Sequence, residues 1–189
     1  MYQNDIKELK KFIRPSPAIF IVGAVFILIG IIILAVSIPA KVENKEVVIV
    51  IGSVIFVIGI ITAAAGISIM KKADKRLAEI DANGGTQILL NDFRTGGKAF
   101  KNLLILGQTF LIGKNTGTVI TYSDIIQIYQ YVHKTNYVED SRILKTVIVP
   151  DRKVVDLCRI PLGGKGDDEL RQVIGFILSK NENIKVGYK

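Results

Sequence analysis

Two long apolar stretches dominate the first part of the chain. From Ala18 to Ile38 no residue is charged, and a helix of those 21 residues covers about 31 Å, the thickness of a bilayer's hydrocarbon core. A second uncharged run of 24 residues extends from Val47 to Met70, after the short polar stretch Pro39 to Glu46. Apolar side chains fall on every face of both runs, which seldom describes a core helix of a soluble protein. The first run is also longer than the apolar core of a cleavable signal peptide, and another follows at once. The pattern predicts a basic N-terminal segment and a transmembrane helical hairpin within residues 1–70, with spans at about 18–38 and 47–70.

Beyond Met70 the periodicity changes twice. Residues 71–85 read as a basic juxtamembrane helix and linker: Lys71 to Ala82 mixes apolar and charged positions, and Asn83-Gly84-Gly85 stops it. Residues 86–189 then read as one cytoplasmic domain. Short apolar runs punctuated by turn residues predict seven strands: Gln87 to Leu90, Leu103 to Leu106, Thr109 to Ile112, Val119 to Thr121, Ile125 to His133, Ile143 to Val149 and Val154 to Ile160. Gly107-Gln108 reads as a two-residue hairpin link with glycine first. Leu170, Val173, Ile174, Ile177 and Leu178 follow the spacing of a helix with one buried face, opening at Asp167-Asp168-Glu169. The expected fold class is α+β: a two-helix transmembrane hairpin, then a small antiparallel sheet or open barrel with a C-terminal helix.

Charge orients this arrangement. The formal net charge is +8, and from Lys71 onward nineteen basic residues outnumber thirteen acidic ones, so most of the excess lies there. Lys7, Lys10, Lys11 and Arg14 precede the first span and Lys71, Lys72, Lys75 and Arg76 follow the second, whereas Glu43 and Glu46 offset Lys41 and Lys45 between them. Basic flanks favour the cytoplasmic side, which predicts a multi-pass cell-membrane protein with both termini cytoplasmic. The single cysteine, Cys158, excludes an intrachain disulfide and agrees with a reducing compartment. Lys71, Lys72, Lys75 and Arg76 are the candidate contacts to anionic lipid headgroups, each worth about 1 kcal/mol near the surface.

Small residues recur every seven positions in both spans: Gly23, Gly30 and Ser37 in the first, Gly52, Gly59 and Gly66 in the second. Such ladders let helix backbones approach closely, and they predict a packing seam that pairs Gly23 with Gly66, Gly30 with Gly59 and Ser37 with Gly52, or that serves a second copy of the protein. Neither span holds an ionisable residue, so an ion path or proton relay is disfavoured.

Signals for chemistry are sparse. Gly97-Lys98, Gly113-Lys114 and Gly164-Lys165 each lack the earlier glycine and the following Ser or Thr of a phosphate loop. His133 is the only histidine and cannot form a histidine metal cluster. Tyr129, Tyr131 and His133 alternate on a predicted strand and form the candidate recognition face, though cross-strand pairing is the commoner use of such a stripe. The basic residues lie mostly in turns and near the membrane exit, not among aromatics on one sheet face, which disfavours nucleic acid.

The run Ile120-Thr121-Tyr122-Ser123-Asp124-Ile125 between two strands, with a long strand, a hairpin and a closing helix after it, resembles bacterial pleckstrin-homology-like domains on small membrane proteins. The ending Lys180-Asn181-Glu182-Asn183-Ile184-Lys185-Val186-Gly187-Tyr188 is similar to the tail of an uncharacterised family of two-span bacterial membrane proteins of this type. The resemblance covers roughly Gly96 to Tyr188. It implies a non-enzymatic docking module for a protein surface, a peptide or lipid headgroups, with no catalytic residues and no cofactor. One departure stands out: lipid-binding members carry basic residues around the first hairpin, and Gly107-Gln108 has none. Two other roles compete, an assembly subunit pairing through the glycine seam with itself or another protein, and an enzyme of unrecognised type.

Overall fold

The computed structural model describes residues 2–37, 45–135 and 138–187. Most of the polar stretch from Pro39 to Glu46, with Lys41 and Glu43, lies outside them, as does Tyr188. The chain forms two compact units: Pro15–Lys71, and a second built from Met1–Arg14 together with Lys72–Lys189.

The first unit is a helical hairpin. It comprises α2 (Pro17–Ser37) and most of α3 (Lys45–Ala82), both long and apolar enough to cross a membrane. Only 11% of each apolar window is buried, and Ile21, Leu28, Ile32, Val50 and Ile61 are among the exposed side chains. A soluble core helix would bury such residues; an apolar surface this continuous calls for a non-aqueous surrounding. The small residues Gly23, Gly30, Ser37, Gly52, Gly59 and Gly66 are the buried ones. They do not meet as the expected pairs. Gly23 lies against Ala63 and Gly59, Gly30 against Phe56, Gly59 against Ile27 and Gly23, and Gly66 against Phe20. The helices thus meet about one turn away from the expected register, with Gly23 packed between Gly59 and Ala63 and with Gly30, Gly52 and Gly66 receiving larger side chains. A Cβ at Gly30 would lie 2.8 Å from the Phe56 backbone nitrogen, so only glycine permits this approach.

The second unit places sheets between helices. Strands β1 (Gly97–Ala99), β2 (Leu104–Leu106), β3 (Phe110–Gly113) and β4 (Thr118–Thr121) form an antiparallel meander in that order. After a 3-10 turn at Tyr122–Asp124, β5 (Ile125–Thr135), β6 (Val138–Ile148) and β7 (Lys153–Ile160) form a second sheet in the order β7-β6-β5, with the short β8 (Lys185–Val186) parallel to β5. Helix α5 (Gly164–Lys180) buries Leu170, Val173 and Ile177 in a core shared by both sheets, among Phe100, Leu111, Ile128, Leu144 and Leu157. The α+β class and the closing helix agree with the sequence pattern, as do six of the seven strands to within a few residues.

The other face of the meander is covered by a helical layer that the sequence reading missed. Gln87 to Leu90 is not a strand; it belongs to α4 (Thr86–Thr95), whose Leu89, Leu90 and Phe93 pack on one side. A four-residue apolar run does not distinguish a strand from one helical turn. The N-terminal segment, read only as a basic flank, is α1 (Tyr2–Ile13). Its Leu9 and Ile13 are fully buried against Ala73 and Ile80 of α3, Leu89 of α4, and Ile105, Ile112 and Val119 of the sheet. The second compact unit therefore takes in the segment before the first apolar helix and resumes at Lys72, where the sequence pattern started it at residue 86.

Candidate functional site

Helix α3 delivers its basic end onto the edge of a sheet. Strand β4 is an edge of the meander, so backbone carbonyls facing away from β3 need donors. Arg76 supplies one: its Nε donates to the Val119 carbonyl at 2.9 Å, while the terminal nitrogens reach Asp124 at 3.2 Å and Glu79 at 3.3 Å. One turn earlier, the Lys72 Nζ donates to the Thr118 hydroxyl at 3.2 Å. That hydroxyl in turn donates to the Asp156 carbonyl at 3.0 Å, tying β4 to β7.

Between these groups and the β6–β7 turn lies an open cleft of about 200 Å³. Its polar lining is Lys72, Lys75, Arg76, Lys153, Glu79, Asp124 and Thr118, and its apolar wall includes Val119, Ile148, Val149 and Val155. Arg76 is engaged by three partners, Val119, Asp124 and Glu79, and serves the fold. Lys75 is exposed and stands 4.0 Å from Glu79. Lys72 is half-buried, repelled by the charge of Lys153 and attracted by Asp156, which is itself paired with Lys145 at 3.1 Å. Of the four basic residues singled out for headgroup contact, Lys72 and Arg76 are therefore engaged by the sheet, and Lys71 and Lys75 are exposed.

No protein-family model, curated protein or solved structure matches the chain.

The Tyr129, Tyr131 and His133 stripe is divided by burial. These residues pair across the ladder with Lys145, Ile143 and Ser141, on one face. Tyr129 is buried, Tyr131 is 40% exposed, and His133 is exposed. The Lys145 ammonium sits 4.8 Å from the Tyr131 ring centroid while pairing with Asp156, so much of this face is occupied by cross-strand contacts. Among the described residues, no three His, Cys, Asp or Glu side chains are placed to hold a metal ion.

A buried polar constellation lies at the β2–β3 turn. The Asp92 carboxylate, 1% exposed, accepts the N–H groups of Thr109 at 2.7 Å and Phe110 at 2.8 Å. Gly107 closes the turn by donating to the Phe110 carbonyl at 2.9 Å, so the two-residue link is Gln108-Thr109, one step beyond Gly107-Gln108. A Cβ at Gly107 would fall 2.5 Å from the Asp92 side chain, which explains the glycine. The Tyr122 hydroxyl donates to the Gly107 carbonyl at 2.9 Å. These groups hold the turn together. Asp92 went unnoticed because it lies just past the run Gln87 to Leu90, which read as strand; once α4 is helical, an acid on the face of Leu89 and Phe93 is a visible anomaly.

Cys158 is buried in β7, and burial, with Glu169 nearby, pushes its thiol from the ordinary 9.0 up to about 12. Burial, with Asp92 nearby, also raises the Tyr122 phenol. The fold therefore favours the protonated thiol. That contribution is complete below about pH 9 and drains away as pH rises towards 12. Urea unfolding followed from pH 8 to 11 is expected to show stability falling over this interval, with a shallower slope in Cys158→Ala. An unchanged slope would show that the thiol titrates normally in the fold. At pH 8 the same burial should make alkylation by iodoacetamide slow until the chain is unfolded.

Proposed function

We propose that this chain is a non-enzymatic, two-span integral membrane protein that holds a pleckstrin-homology-like interaction module at the cytoplasmic face for contacts with protein or with anionic lipid headgroups. The observation that carries the reading is the path of the chain through the soluble unit. Arg14, just before the first apolar helix, pairs with Asp74, just after the second, at 2.6 Å, and Ile13 and Ala73 are both fully buried in one cluster. Both ends of the apolar hairpin therefore enter the same compact unit, which requires an even number of crossings if the hairpin spans. The basic flanks favour the cytoplasmic side.

Support for the module comes from seven antiparallel strands in two hairpin-linked sheets closed by a C-terminal helix packed on both. The cleft lined by Lys72, Lys75 and Lys153 is the face we assign to contact. The glycine seam is filled within the hairpin, which favours an anchor over assembly through those residues. Alkaline carbonate extraction combined with reporter fusions at the N-terminus, at residue 42 and at the C-terminus tests the arrangement. The protein should stay in the membrane pellet, with both ends cytoplasmic and residue 42 outside; release by carbonate or ends on opposite sides would refute it.

A further inference from the structure

We infer that the cleft between α3, β4 and the β6–β7 turn is a binding site for a doubly charged phosphate group, held by Lys72 and Lys153 with the Thr118 hydroxyl beside them. The inference rests on the reading of this cleft as the contact face of a membrane-held module, and names its ligand. Charge balance is the first argument. The lining cations Arg76 and Lys75 are matched by Glu79 and Asp124, leaving Lys72 and Lys153 in excess. Lys72 is half-buried, it donates to a neutral hydroxyl, and the carboxylate that attracts it, Asp156, is paired with Lys145. Two like charges facing each other over a cleft destabilise the empty site, and a dianion between them removes that repulsion.

Size and lining are the second argument. At about 200 Å³ the cleft is smaller than a typical pocket for a drug-sized molecule and suits a single headgroup-sized anion. The apolar part of the lining is aliphatic, with Val149 42% exposed, so it offers a surface for the carbon moiety of a phosphate ester. A lipid phosphomonoester and free phosphate share the recognised chemistry, and the test separates them.

The full chain would be placed in nanodiscs of phosphatidylcholine, with or without phosphatidic acid, and inorganic phosphate titrated in at constant ionic strength against chloride. Binding is read from ³¹P line broadening and from the thermal midpoint. Wild type should broaden the phosphatidic acid resonance in competition with free phosphate, and Lys153→Ala, which removes an exposed side chain, should weaken binding about tenfold. Lys185→Ala, outside the lining of the cleft, should not. Binding of inorganic phosphate without effect of phosphatidic acid would support the site and identify the soluble source. Absence of binding by either probe, or equal binding by a folded Lys153→Ala protein, would overturn it. The topology reporters are independent: a correct hairpin with no phosphate binding retires the site and leaves the anchor standing.

Discussion

A chain in which residues 15–71 are replaced by about eight Gly and Ser residues is expected to be soluble and folded, whereas residues 72–189 alone are expected to aggregate. The reason is that α1 completes the soluble unit from the far side of the hairpin. Leu9 and Ile13 are fully buried and Ile6 and Phe12 are packed against the same cluster. Removing them forfeits about 1.5–3 kcal/mol for each fully buried aliphatic side chain and uncovers Ile105, Phe110 and Ile112. Against a typical total stability of about 5–15 kcal/mol this loss is decisive. The polar ends agree: the N–H groups of Asn115 and Gly117 donate to the Phe12 and Ile13 carbonyls at 2.9 Å, so the β3–β4 turn caps the C-terminus of α1 and would lose both partners with it. Reconnection is easy because Arg14 and Asp74 already touch, and eight flexible residues reach about 15 Å. Size-exclusion chromatography and thermal unfolding by circular dichroism would check this. Equal melting of the two truncated forms would show that α1 is dispensable. Ile13→Asp in the linked form should reproduce the collapse by a point change.

What the sequence revealed, and what it hid, follows from the range of each interaction. The apolar helices, the alternating strands and the α5 stripe are local patterns, and Leu170, Val173 and Ile177 do bury as their spacing implies. The N-terminal helix also had a local signal, since Ile6, Leu9 and Ile13 recur at helical spacing, but the lysines between them drew the reading towards membrane orientation. The roles of Lys72 and Arg76 were not readable at all. Their side chains meet Thr118 and Val119 more than forty positions away, and nothing in the basic cluster itself announces an edge strand waiting for donors. Asp92 is the same kind of case: its partners are backbone N–H groups at Thr109 and Phe110, which leave no trace in residue type.

The register of the hairpin supplies the other large effect. Two seven-residue ladders fix which faces meet and leave the offset along the axis open, because registers one turn apart both bury the small residues. In the structure Gly23 faces Ala63, and a Cβ at Gly23 would lie 3.3 Å from the Ala63 Cβ, close to the separation of about 3.8 Å that a disulfide requires. Gly66, the partner expected from the ladders, is three residues further along α3 and instead receives Phe20 and Ile19. In a Cys158→Ser background, Gly23→Cys with Ala63→Cys is therefore expected to oxidise almost completely within the chain in membranes. Gly23→Cys with Gly66→Cys should remain mostly reduced, since three residues displace its sulfur by about 4.5 Å along the helix. Maleimide-polyethylene glycol gel shifts after mild oxidation read the two outcomes on one blot. Preferential bridging of the Gly23 and Gly66 pair would restore the glycine-to-glycine register. Bridging between chains in place of bridging within them would move the seam from the hairpin to a second copy.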